Sequence, residues 1–195
     1  MNNQTPREIL SQFYKDNGFG MDGGVSSKSV KIEITKNFHF WYPNFEARNK
    51  AVLKHDIHHL LTGYSTKLTG EGEISAWEIG TGCKKYWAAF LLDTSGFSLG
   101  TPIYFWGVLK AFSRGRKTKS LYHDLFTNEE ALDMKISDLQ SALLLDKYGK
   151  DTKPNFIDCV LFVLLGLFAL VYSLSALILL PYIIIYSIYI ALRSK

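Results

Sequence analysis

The chain has 195 residues, with 22 Lys+Arg against 18 Asp+Glu, a net charge of +4 and 47% hydrophobic residues. That length suits one domain with a sizeable core and is too short for most multidomain enzymes. Two cysteines cannot build a disulfide framework, which points to a reducing compartment, and so mild a positive charge does not select nucleic acid as a partner.

Thr5-Pro6-Arg7-Glu8 is a capping box with proline at the first helical position, so a helix is expected from there to Asn17-Gly18. Gly-rich Asn17–Ser27 reads as loop. Val30, Ile32 and Ile34 then alternate and lead into Phe38, Phe40 and Tyr42, a strand or hairpin signal. Pro43-Asn44 ends it, with Asn44 as N-cap of a helix from Phe45 to Thr62 that stops at Gly63. Further helices are expected from Gly72 through Leu92 and from Thr101 to Phe112. Two more capping boxes stand at Thr127–Glu130 and Ser137–Gln140.

All 18 acidic residues lie at or before Asp158, and no charged residue occurs from Cys159 to Leu192. So long an apolar run reads as membrane-inserted. Being C-terminal, it is not a signal peptide. As a single helix it would measure about 50 Å against a hydrocarbon core of about 30 Å. Pro181 offers a break, so either Val160–Leu180 spans and the Tyr-rich remainder lies in the interface, or the two arms form a re-entrant hairpin. Lys147, Lys150 and Lys153 flank one side and Arg193 and Lys195 the other, which leans toward the hairpin. The chain thus divides into a helical domain over residues 1–150 and a membrane anchor over 156–192. Its fold class is mainly α, with a small N-terminal β-hairpin and a C-terminal hydrophobic helix or helical hairpin.

Three of the 5 histidines fall in Lys54-His55-Asp56-Ile57-His58-His59. On a helix His55 and His59 share one face with Cβ atoms about 5–6 Å apart, a spacing that can hold a divalent cation. Glu71 follows the next turn, where an antiparallel return carries its carboxylate toward His59, and Glu73 competes with it as third ligand. Asp56 is a fourth ligand or holds an imidazole N–H. His58 reads as an exposed or supporting residue, Glu78 as a helix-face acid. The H-x-x-H-H box of membrane desaturases also fits these residues, but those sites need about eight histidines in three boxes. His39 and His123 stand alone here.

His55-Asp56-x-x-His59, eleven residues and Glu71 make the H-D-x-x-H-x11-E pattern. Together with Leu60-Leu61-Thr62-Gly63-Tyr64, Gly70-Glu71-Gly72-Glu73 and Ala76-Trp77-Glu78, it resembles the coenzyme Q (ubiquinone) biosynthesis family numbered four, the Coq-four family, in its bacterial branch. The resemblance is specific over Tyr42–Ala88 and looser over Met1–Leu145. It implies a mainly helical fold and a divalent metal, Zn or Fe(II), held by His55, Asp56, His59 and Glu71. It further implies a hydrophobic site for a prenylated quinone precursor, membrane association, and a complex with other quinone-biosynthesis proteins. The activity implied is oxidative decarboxylation and hydroxylation of the quinone ring; the older view is a scaffold that presents lipid intermediates. The C-terminal apolar segment departs from the family's core pattern. A host with such an anchor would hold it in the bacterial inner membrane, the polar domain on the cytoplasmic side.

Arg114, Arg116, Lys117 and Lys119 follow the aromatic stretch Pro102–Leu109 directly. They read as a loop that docks on anionic headgroups of membrane lipid while the aromatic side chains dip into the interface.

Overall fold

The computed structural model describes residues 3–20, 23–35 and 38–193. Helix α1 (Pro6–Asn17) starts on the expected capping box, with the Glu8 N–H donating to Thr5 Oγ1 and the Thr5 N–H to the Glu8 carboxylate. Leu10 and Tyr14, one turn apart, bury its inner face. Strands β1 (Ser29–Thr35) and β2 (Phe38–Pro43) pair antiparallel, with Val30 opposite Tyr42 and an irregularity between Glu33 and Thr35. The side chains at 31–40, His39 among them, lie outside the described residues, as does Lys195.

Helix α2 (Glu46–Thr62) follows Phe45, which gives no side-chain cap. Asn44 does something other than the capping expected of it. Its Oδ1 accepts from the Phe45 N–H and from Arg48, while its Nδ2 donates to the carbonyls of Gly24, Val25 and Ser27. The amide thereby staples the glycine-rich loop to the head of α2. Gly63 ends the helix at φ 72°, a left-handed position that glycine adopts without strain.

The single helix expected over Gly72–Leu92 is two. Helix α3 (Leu68–Thr81) closes on Gly82, and Lys84 at φ 49° turns the chain before α4 (Trp87–Gly115) begins. The α4 segment is itself folded at Tyr104 (φ −142°, ψ 55°), two residues past Pro102, which has no N–H to donate. An unbroken helix would set Phe97 and Phe112 about 22 Å apart. Both rings instead lie against Phe162, at 5.1 and 5.8 Å between centroids. The two arms of α4 therefore fold toward each other, and the helix expected over Thr101–Phe112 straddles the bend. Helix α3 packs on both arms: a Cβ on Gly72 would come within 2.7 Å of Gly100 Cα and 3.4 Å of the Val108 side chain. Glycine at both crossing points permits that approach.

After a 3-10 turn at Leu121–His123, α5 (Asn128–Asp133) starts on the expected Thr127–Glu130 capping box. Helix α6 (Ile136–Ala142) starts ahead of Ser137, from Lys135 and with no side-chain cap, so the second expected box does not form. Ser137 Oγ donates to Asp138 instead. Ile57, Leu61, Ile74, Trp77, Leu139 and Leu143 are fully buried at the centre of the core.

Helix α7 (Phe156–Ala176) opens on a capping box made by Asn155 and Asp158. A short turn at Leu177–Leu179 leads into α8 (Leu180–Arg193), so the break falls beside Pro181. The protein is mainly α-helical, with one β-hairpin and a C-terminal apolar segment, Phe156–Ile190, long and apolar enough to cross a membrane. Helix α7 packs against α4, and α8 against β2.

Candidate metal centre

The inward face of α2 carries the site. The Leu61 stripe and Ile57 bury that helix, and the chain returns through Tyr64–Lys67 into α3. Glu71, in the first turn of α3, comes back over the histidines as the loop length requires. Its Oε1 lies 3.3 Å from His59 Nε2 and its Oε2 3.7 Å from His55 Nε2. The two Nε2 atoms stand 3.2 Å apart. One donor atom from each of His55, His59 and Glu71 thus falls within 4.8 Å of the others.

The other ring nitrogens are all spoken for. His59 Nδ1 donates to the Tyr64 carbonyl at 3.0 Å. His55 Nδ1 donates to both oxygens of Glu78 at 3.1 Å. Each imidazole is thereby held in the tautomer that offers its Nε2 lone pair to the cluster, the arrangement that metal-ligating histidines require. Two lone pairs facing at 3.2 Å repel unless something positive sits between them. A proton or a divalent cation serves.

Burial alone would raise the Glu71 carboxyl, but its contacts with the His55 and His59 rings bring it down to about 2. Burial likewise disfavours the His55 imidazolium, yet the Glu78 charge and the Glu71 contact carry that ring well above the ordinary histidine range. The site is thus arranged for an extra positive charge. Glu71 is one-third exposed and His55 about one-quarter, so the cluster opens to one side of the domain. Glu73, the competitor, is absent from the cluster.

Asp56 is placed differently from its neighbours. Its carboxylate is buried, receives a hydrogen bond from Tyr14, and lies where a Cβ on Gly23 would come within 2.7 Å of Oδ2. That Oδ2 has no hydrogen-bond partner among the described residues. Burial pushes the carboxyl up to about 6, against the pull of His55. It therefore stands beside the three clustered donors, under the loop that Asn44 staples.

Glu78 corrects the reading of a helix-face acid. It is fully buried and takes hydrogen bonds from His55, from His58 Nδ1 at 2.5 Å, and from the Tyr122 hydroxyl at 3.3 Å. It also shares one with Asp93. His58, likewise fully buried, accepts the Leu121 N–H at Nε2, which fixes its proton on Nδ1. Burial lowers the His58 pKa, the Glu78 charge opposing. Burial and the Glu78 charge raise that of Asp93. His55, Glu78 and Asp93 make a second close group of donors, deeper than the first. The sequence signal for Glu78 was its place seven residues beyond Glu71, two turns along the same face of α3.

The four basic residues do not form one free loop. Arg114 is buried in α4 and donates to the carbonyls of Tyr148 and Thr62, which removes it from any headgroup contact. Arg116 pairs with Asp158 at 2.7 Å, and Lys117 donates to the Lys153 carbonyl. Lys119 is exposed. What read as a docking loop is largely the clasp between α4 and the head of α7.

Compared with family models, with curated proteins and with solved structures, the chain matches none of them.

Proposed function

We propose that the chain binds one divalent cation, Zn or Fe(II), through His55, His59 and Glu71, and uses it on a prenylated quinone precursor drawn from the bilayer. The observation that carries this reading is the pair of Nε2 atoms converging on Glu71 while Glu78 and the Tyr64 carbonyl hold both Nδ1 protons. Two imidazoles and one carboxylate suit either metal and leave coordination positions open. The buried Asp56 carboxylate, next to His55 in the chain, has one oxygen without a hydrogen-bond partner among the described residues.

The reaction follows the resemblance to the Coq-four family: a ring carboxylate leaves as carbon dioxide, the ring carbon takes a hydroxyl from water, and the two electrons released pass to dioxygen, which leaves as hydrogen peroxide. The bound metal would supply Lewis acidity and charge stabilisation at the ring substituents. The chain's own groups hold the ligands in one tautomer, and Phe13, with its ring 6.0 Å from His59, contributes apolar lining beside them. In the cell such a protein would sit at the bacterial inner membrane, its polar domain on the cytoplasmic side, in contact with other quinone-biosynthesis proteins.

The test is cation content. Purified protein is expected to bind one Zn or Co(II) per chain, and His55→Ala or Glu71→Ala to abolish binding while circular dichroism stays unchanged. Quinone profiling of cells carrying the same variants separates catalysis from the scaffold reading, which the outward apolar surface of α7 favours. A scaffold would keep quinone flux in the variants; an enzyme would lose it.

A further inference from the structure

The apolar C-terminal segment does not stand away from the domain. Asp158 at its head is clasped by Ser113, at 2.6 Å, and by Arg116. Phe162 lies against Phe97, Phe105 and Phe112 of both α4 arms. Further on, Phe168 meets Phe90, and Ser173 hydrogen-bonds Ser98 at 3.1 Å. Beyond the turn, α8 closes back on the β-hairpin. The Trp41 N–H donates to Ser187 Oγ at 3.0 Å, that hydroxyl lies 3.1 Å from the Trp41 carbonyl, and the Ser29 and Tyr186 hydroxyls meet at 3.2 Å.

These contacts decide how the segment can sit in a bilayer. Phe168–Ser173 lies about 15–22 Å along α7 from Asp158, the mid-depth of a hydrocarbon core about 30 Å thick. If α7 stood upright, Phe90 and Ser98 would be carried to that depth, and with them Asp93 and Glu78 behind. Exposed Lys85, five residues before Phe90 and paired with Asp124, would follow. Ionisable groups at such depth are costly, and β2, held by α8, would be drawn toward the hydrocarbon as well.

Lying flat avoids all of this. The outward faces of both helices and the turn between them are largely apolar, with Ile157, Val163, Leu167, Val171, Ile178 and Ile185 each more than half exposed. The tip of the folded α4 joins them: Ile103 and Trp106 are exposed at 56% and 69%, and Phe105 reaches Phe162. Exposed Arg193 stands at the end of α8, where a long basic side chain reaches headgroups.

We infer that α7, α8 and the tip of α4 form one monotopic surface embedded in the acyl chains of a single leaflet, so that the chain enters and leaves the membrane on the same side. This rests on the membrane part of the functional reading and not on the metal.

The experiment adds purified full-length protein to the outside of sealed phosphatidylcholine–phosphatidylglycerol vesicles. Flotation is scored first. Then Lys147→Cys and Arg193→Cys, both at exposed positions and each in a Cys159→Ser background, are treated with a membrane-impermeant maleimide. The inference expects flotation and equal labelling of both variants without detergent. Labelling of Lys147→Cys with protection of Arg193→Cys until detergent is added would mean a crossing and overturn it. Failure to float would overturn the membrane reading itself. Brominated acyl chains should also quench tryptophan fluorescence less in Trp106→Phe than in the parent; equal quenching would remove the α4 tip from the embedded surface.

Discussion

Around Glu78, ionisable groups are sealed from water and each is given a partner, whereas along α7 and α8 aliphatic side chains face outward with little of the chain against them. The difference lies in what each region demands of its neighbours. A buried carboxylate is tolerable only with donors at fixed positions, so Glu78 dictates the placement of His55, His58 and Tyr122. An apolar helix face asks only for a low-dielectric surrounding, which lipid supplies as well as protein. One region is therefore sensitive to single atoms and the other to total area.

The contrast breaks most visibly at Glu78. Glu78→Ala leaves two imidazoles and a phenol without their acceptor and should cost about 3–5 kcal/mol in urea unfolding of the metal-free protein. Gly100→Ala forces a methyl group into the α3–α4 crossing, and about 1–3 kcal/mol is expected by the same assay. Glu78→Gln keeps the shape but weakens the hold on His55, so Zn affinity in a competition titration should fall about 10–100-fold.

The pH dependence sharpens the same point. A cation needs His55 unprotonated at Nε2, and that ring holds its proton above the ordinary histidine range. Zn affinity should therefore go on rising with pH past the range where a free histidine has finished titrating, with proton release on binding; a profile flat above pH of about 8 would contradict it. At the far end of the scale, Leu167→Gln on α7 should alter stability in detergent by no more than about 0.5 kcal/mol. It should still reduce partitioning into vesicles.

Much of the candidate site was legible because its signals are local. The His55–His59 spacing, Gly63 as a stop and a short return to Glu71 are all read within one stretch of α2 and α3, and the geometry brings those three side chains together. The capping boxes at Thr5 and Thr127 were equally local, and both form. Glu78 was not legible in its role, because its partners come from α2 and from Tyr122, far away along the chain. Asn44 has the composition of a cap, but the carbonyls of the loop before it compete for the same amide. The bend of α4 was not expected, although Pro102 lies two residues before it, because its sharpness depends on Phe162 seating between the arms. Arg114 looked like part of a charge run; only the carbonyls of Thr62 and Tyr148 turn it inward.

Tyr64 links two things that are otherwise remote. Its carbonyl anchors the His59 ring, while its own ring lies beneath Arg114 and, at 5.1 Å, beneath the ammonium of Lys150. Lys150 also grips the Gly63 carbonyl, and its stretch of chain leads straight to Asn155 and the head of α7. The head of α7 is thus joined by a short path, through Lys150 and the Gly63–Tyr64 backbone, to the carbonyl that orients the His59 ring.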